Sequence, residues 1–250
     1  RVELWTNDGV TGEARFTVSV LATGVGGALF DTADLDGDGD LDIVLPQYFE
    51  DTPLVWLEQT GANGSAWETH VINTTTGRGF AAKVTDLDGD GGLDVVYTNH
   101  NHQLASDPTE QTMGLYWFRV PPADEIRSLD TWDAYATVIY EGFQVSEEDP
   151  ETSGAPGVFG VHDVDGDGDK DIAVSGDGDE GLYLFVQNDG NAFERITLAS
   201  GLQQAGGHVL FDIDLDGDQD LVWAVFGAWG IDDILTNWNP PSAVYAFVQD

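Results

Sequence analysis

The stretch Asp34-Leu35-Asp36-Gly37-Asp38-Gly39-Asp40-Leu41-Asp42, followed directly by Ile43-Val44-Leu45, decides how this chain folds. Carboxylates alternate through a nine-residue loop, and the short β-branched run after it reads as a strand buried on both faces. The arrangement returns as DLDGDGGLD at 86–94 before Val95-Val96-Tyr97, as DVDGDGDKD at 163–171 before Ile172-Ala173-Val174, and as DIDLDGDQD at 212–220 before Leu221-Val222-Trp223. Four copies exclude coincidence and define a repeat. Their spacing is unequal. The longest gap, between the second and third copies, holds Pro121-Pro122 and the acidic run Glu147–Glu151 and reads as an insertion.

Further out, a second segment recurs five times: Val2-Glu3-Leu4-Trp5, Leu54-Val55-Trp56-Leu57, Leu115-Tyr116-Trp117-Phe118, Leu182-Tyr183-Leu184-Phe185 and Val244-Tyr245-Ala246-Phe247. A third opens on an aromatic and ends in a turn, from Phe16 to Gly24, Trp67 to Asn73, Trp132 to Gly142 and Phe193 to Gly201. With an approach strand ahead of each loop, such as Gly79 to Thr85, every unit has four strands, the content of one β-propeller blade. The expected fold is all-β. It is one domain over 1–250, a propeller-like array of about four to five blades or part of a larger propeller, each blade burying its faces on its neighbours. The units fall at about 1–53, 54–114, 115–181 and 182–243, with an extra terminal strand at 244–250. Counted by blade, the chain opens on two strands, holds three sets of four and closes on three, so Val244–Val248 is surplus to a ring joined at its termini. That strand either duplicates a position or pairs elsewhere, including onto the sheet of a neighbouring molecule.

The loops themselves point to calcium, a hard cation that takes six to eight oxygens, which alternate residues of a tight loop deliver inward. Side-chain ligands are expected from Asp34, Asp36, Asp38 and Asp42; from Asp86, Asp88, Asp90 and Asp94; from Asp163, Asp165, Asp167 and Asp171; and from Asp212, Asp214, Asp216 and Asp220. Position seven is Asp40, Gly92, Asp169 and Asp218, and because glycine is accepted there the expected donor is the backbone carbonyl. Glycine at position six permits the sharp turn. Asp and Gly also suit ordinary turns, but a turn needs two such residues, and four carboxylates in nine positions repel one another without a cation. Magnesium keeps its water and seldom uses an all-protein cage, and zinc lacks nitrogen or sulfur donors here. About four calcium ions are expected.

These loops resemble FG-GAP repeats, also described as VCBS repeats, found in integrin alpha-chain propellers and many secreted bacterial proteins. Gly79-Phe80-Ala81-Ala82 before the second loop is similar to the family's approach strand. The resemblance implies calcium held in hairpin loops between the first two strands of each blade and an extracellular or cell-surface location. Seven blades are the family norm, and four loop-bearing units depart from it.

Composition narrows the partners. Against 46 Asp plus Glu stand 8 Lys plus Arg, a formal net charge of −38, which excludes nucleic acid and disfavours anionic polysaccharides and membranes. No apolar stretch is long enough to span a membrane, and the chain has no Cys for disulfides or thiolate metal sites. No nucleophile with a base stands apart from the aspartate loops, so the expected role is a non-catalytic structural or adhesive module, with self-association through the terminal strand. The alternative is a carbohydrate-binding or polysaccharide-processing propeller, for which Trp229 and Trp238 are the stacking candidates. His100 and His102 share a face if their strand continues, but a solvated loop is the plainer reading. His162 and His208 read as local hydrogen-bonding residues, Asp177-Gly178-Asp179-Glu180 as a turn, and Asn63 and Asn73 as formal glycosylation sequons.

Overall fold

The computed structural model describes residues 1–27, 29–50, 52–100, 113–143, 155–188, 191–216, 219–226 and 243–247. Trp229, Trp238, His102, Gly217, Asp218 and the acidic run Glu147–Glu151 lie outside them. Strands β1 (Val2–Asn7) and β2 (Phe16–Ala22) form a two-stranded sheet. Next comes an antiparallel meander of β3 (Asp31–Ala33), β4 (Asp42–Pro46), β5 (Leu54–Gln59) and β6 (Trp67–Asn73), then a second of β7 (Gly79–Thr85), β8 (Asp94–Asn99), β9 (Gly114–Arg119) and β10 (Ala136–Glu141). The last sheet holds β11 (Ala155–His162), β12 (Asp171–Asn188), β13 (Ala192–Phe211), β14 (Asp220–Phe226) and β15 (Ala243–Phe247). The chain is an all-β, propeller-like array of antiparallel sheets. No helix among the described residues is long and apolar enough to cross a membrane.

Strand β12 is two strands in one. Fully extended, the path from Asp171 to Gln187 would cover about 50 Å, yet the Gln187 N–H donates to Asp171 Oδ1 at 2.9 Å. The segment therefore doubles back, its first half pairing with β11 and its second with the start of β13. Strand β13 then passes on: its far half pairs with β14, and β14 with β15. So the last sheet contains a third set of four, followed by three strands, with the closing segment paired in its own molecule.

Both faces of each inner strand are used, as a continuous apolar run requires. Val44, Leu54, Trp56 and Ile72 of the first set meet Val95, Tyr97, Tyr116 and Phe118 of the second. The reverse face of the second, through Val96, Leu115 and Trp117, meets Ile172, Val174 and Phe185. Ala173, Leu182 and Leu184 in turn meet Leu221 and Trp223 of the closing strands. At the other end Val2 and Ala22 pack on Leu45 and Val55. The first and second sets are also joined by main chain, with Gly79 N–H on the Gln47 carbonyl at 3.0 Å and Ala82 N–H on the Leu29 carbonyl at 2.9 Å.

One expected strand is corrected. Trp132 does not open the fourth strand of the second set but sits in α1 (Leu129–Ala134), and that strand starts at Ala136. The ring is fully buried in the first inter-sheet core, and its indole N–H donates to the Ile126 carbonyl at 2.7 Å. The connection from β9 to β10 thus plugs the seam between two sets. Trp132→Ala is expected to lower stability by about 3–5 kcal/mol, read from the denaturant midpoint, with the more exposed Tyr135→Ala as the small-effect control.

Candidate metal centres

Each aspartate loop is folded by its own carboxylates. At position one, Asp34 Oδ2, Asp86 Oδ2 and Asp163 Oδ2 accept the N–H of Gly39, Gly91 and Gly168 at 3.0, 3.0 and 3.2 Å. At position three, Oδ1 of Asp36, Asp88, Asp165 and Asp214 accepts the N–H two residues on, at 3.2 to 3.3 Å. Position five repeats this, with Oδ1 of Asp38, Asp90 and Asp167 taking the N–H of Asp40, Gly92 and Asp169. Asp and Asn side chains bond locally in this way in turns. In the first two loops the turn leaves over the other oxygen, whereas in the third Asp163 Oδ1 also takes the N–H of Gly166.

Position nine anchors the loop to the sheet. Asp42, Asp94, Asp171 and Asp220 are at most 3% exposed. Their Oδ2 atoms accept the N–H of the second loop residue, Leu35, Leu87, Val164 and Ile213, at 2.7 to 3.0 Å. Oδ1 of Asp42 and of Asp171 takes a strand N–H, from Gln59 and Gln187. Burial, helped by the neighbouring carboxylates, pushes the Asp42 carboxyl up to about 6 and raises those of Asp94 and Asp171. Asp214 is raised as well.

Carboxylate oxygens within 4.8 Å of one another group Asp34, Asp36 and Asp42; Asp86, Asp88 and Asp90; Asp163, Asp165 and Asp171; and Asp212, Asp214 and Asp220. Asp38, Asp94, Asp167 and Asp216 stand outside these groups, as do the side chains of Asp40 and Asp169 at position seven. Two oxygens test the fit to a cation: Asp34 Oδ1 and Asp86 Oδ1 are buried and accept no hydrogen bond. A buried anionic oxygen without a donor is costly. An all-carboxylate set aimed inward is the donor chemistry of a hard cation.

The following sheet supplies positive or donor groups. Arg127, in the connection from β9 to β10, reaches back to Asp36 Oδ2 at 2.6 Å and Glu58 Oε1 at 2.5 Å. Asn191, between β12 and β13, donates to Asp88 Oδ2 at 3.3 Å, and Arg119, on β9 of the loop's own sheet, pairs with the same oxygen at 2.5 Å. Glu58, Glu68 and His70 also come together. There the Arg127 guanidinium grips Glu58 through two nitrogens and holds its carboxyl below the usual range, so this trio is an ion-pair brace.

A positional rule escaped the sequence reading. Position four is glycine in the first three loops, at φ 75, 69 and 76° for Gly37, Gly89 and Gly166, but it is Leu215 in the fourth, at φ 66°. The cue lay in three glycines against one leucine.

Other expectations resolve differently. His100 is 2% exposed rather than solvated, stacked on Phe80 and bonded through Nε2 to the Pro156 carbonyl. His162 and His208 meet edge to face, His208 Nδ1 has no hydrogen-bond partner, and burial lowers the pKa of both rings, that of His208 to about 4. Asn73 turns its amide oxygen onto Thr75 and Thr76, while Asn63 is exposed at positive φ.

The sheets and loops define an aspartate-loop β-repeat protein. Residues 163–223, from the first Asp of the third loop to Trp223 of β14, match the family model of an FG-GAP-like repeat. No curated protein matches the chain.

Leu215→Gly should raise stability by about 1 kcal/mol by removing a left-handed leucine, measured as a shift in the denaturant midpoint. Protonation gives a second expectation. Asp42 is raised above its ordinary 3.8, so its contribution to the metal-free fold is full below that value and is lost as pH rises through about 6. Chelated protein should therefore melt lower at pH 7 than at pH 5, and Asp42→Asn should flatten that slope.

Proposed function

We propose that the chain is a calcium-rigidified β-repeat scaffold, a non-catalytic structural or adhesive module that works outside the cell. The observation that carries this reading is the pair of orphaned oxygens, Asp34 Oδ1 and Asp86 Oδ1, each buried at the equivalent place in its loop. Asp34, Asp36 and Asp42 would hold the first ion, Asp86, Asp88 and Asp90 the second, Asp163, Asp165 and Asp171 the third, and Asp212, Asp214 and Asp220 the fourth. Position-seven carbonyls complete the proposed sets. Bound calcium supplies positive charge to carboxylates that otherwise repel. The chain's own backbone N–H groups do the rest, orienting the carboxylates and, at Asp34 and Asp86, leaving one buried oxygen without a donor.

The extracellular setting accords with calcium as the ion, since modules outside cells operate with weak sites and abundant metal. Because a loop so charged is unfavourable alone, binding energy becomes folding energy. At free calcium about ten times the dissociation constant, each site adds on the order of 1.4 kcal/mol.

A second reading, a carbohydrate-binding module, has one feature in its favour. A cavity of about 330 Å³ lies beside β9 and β10, with Asn73, Thr76, Tyr116, Asp133 and Glu141 among its lining residues beside the apolar Phe118 and Val138. Neutral glycans are the class such hydroxyl, amide and carboxylate groups can bond.

Protein stripped with EGTA should gain melting temperature stepwise as calcium is restored, with heat of binding in calorimetry, and Asp34→Asn with Asp86→Asn should remove about half of that gain. Magnesium at equal concentration should do much less. No uptake and no stabilisation by calcium would refute the reading. A glycan array positive for wild type and negative for Glu141→Gln would favour the second.

A further inference from the structure

The strand that approaches each aspartate loop alternates its side chains between the set before and the set after. Counted back from the first Asp of a loop, the fourth residue faces the preceding set: Ala82 lies in the core shared with the first set, and Phe159 packs on the core shared with the second. The third residue back faces the following set. Asp31 shows this by accepting the Val84 N–H at 2.9 Å and pairing with Lys83 at 3.8 Å. The residue just before the loop faces the same way, since Thr85 accepts a hydrogen bond from Lys170 Nζ at 2.7 Å.

Between the third set and the closing strands, the repeat departs from its own pattern at three of these positions. The fourth residue back is Phe30, Ala82 and Phe159 at the first three loops but His208 at the last. The residue before the loop is Ala33, Thr85 and Phe211 elsewhere but His162 at the third loop. The third residue back is Asp31, Lys83 and Val209 elsewhere but Gly160 at the third loop. By the alternation, Gly160 and His162 of β11 face the closing strands, and His208 of β13 faces the third set.

All three departures meet in one place. The two imidazoles lie edge to face with ring centroids 5.9 Å apart. A methyl group on Gly160 would lie 2.3 Å from His208 Nε2 and 2.8 Å from His162 Nε2, so both nitrogens use the space that a side chain there would need. Trp223 pairs with His208 across the strands and packs on its ring at 4.8 Å, holding it from the other side. Neither imidazole makes a hydrogen bond among the described residues, and His208 Nδ1 is buried without a partner. Both residues are half-buried, so water reaches the pair. Lys83, whose charge bears on His162, is itself paired with Asp31.

Two converging imidazole nitrogens without hydrogen-bond partners are the donor chemistry of a late first-row divalent cation, whereas calcium takes oxygens. We propose that His162 and His208 form a binding site for a divalent copper or zinc ion, separate from the aspartate loops, with both Nε2 atoms as ligands and water in the remaining positions. Gly160 is a positioning residue, because any side chain there would drive the two nitrogens apart. The ion ties β11 to the far half of β13, and so the third set to the closing strands. The site goes beyond the calcium reading and does not rest on it.

The test is titration of the untagged chain with Cu²⁺ and, separately, Zn²⁺ in excess calcium, which keeps the aspartate loops from competing, followed by calorimetry and by electron paramagnetic resonance of the copper form. Wild type should take up one equivalent of either metal, and the copper spectrum should show coupling to imidazole nitrogen. His162→Asn and His208→Asn should each weaken binding at least tenfold, Gly160→Ala should do the same with both histidines retained, and His102→Asn should change nothing. Should these variants unfold, wild type alone decides: zinc should protect His162 and His208 from diethylpyrocarbonate, read by peptide mass spectrometry, and leave the other histidines reactive. The proposal is overturned if neither metal binds, if uptake survives both histidine substitutions, if His102→Asn abolishes it, or if zinc leaves His162 and His208 unprotected. Failure of calcium to raise the melting temperature would refute the functional reading while leaving this result intact.

Discussion

Four carboxylates in nine residues cannot lie close together in a protein interior unless something offsets their repulsion. Here the first offset is the loop's own backbone. The carboxylates at positions one, three and five each spend one oxygen on a nearby N–H, and the carboxylate at position nine braces the loop against the second loop residue. The second is cationic side chains, Arg127 lent by the next sheet and Arg119 by the loop's own sheet. Neither reaches the buried oxygens of Asp34 and Asp86. The metal hypothesis rests on that remainder, and the sheet order follows from the same loops, because each final Asp opens the inner strand.

Much of this was legible from residue types alone. Loop spacing and the β-branched runs placed β4, β8, β12 and β14, since alternation of carboxylates and a strand buried on both faces are local patterns. The recurring Leu-Tyr-Trp-Phe type segment placed β5 and β9 for the same reason. Trp132 was misplaced because its aromatic character suits a strand or a buried helix equally, and only the tertiary seam it fills distinguishes them. His100 was read as solvated because its burial depends on Phe80 and Pro156, both remote in sequence.

At the loops, sequence supplied the donors but not their division of labour. That Asp42 ties Gln59 to Leu35 is a matter of register between β4 and β5, invisible in a nine-residue window. Nor does composition reveal which set lends Arg127 to Asp36, a contact 91 residues apart along the chain. The left-handed backbone at Leu215 was within reach, since the other loops place glycine there.

The main-chain joint between the first two sets carries a different implication. The bonds from Gly79 to Gln47 and from Ala82 to Leu29 use backbone atoms that every residue but proline possesses, so most substitutions along this joint leave them in place. Gly79 is the exception, because a methyl group there would lie 2.2 Å from the Pro53 carbonyl oxygen. Sequence drift can therefore rewrite most of this joint without loosening it, while one hydrogen atom's worth of space at Gly79 stays fixed.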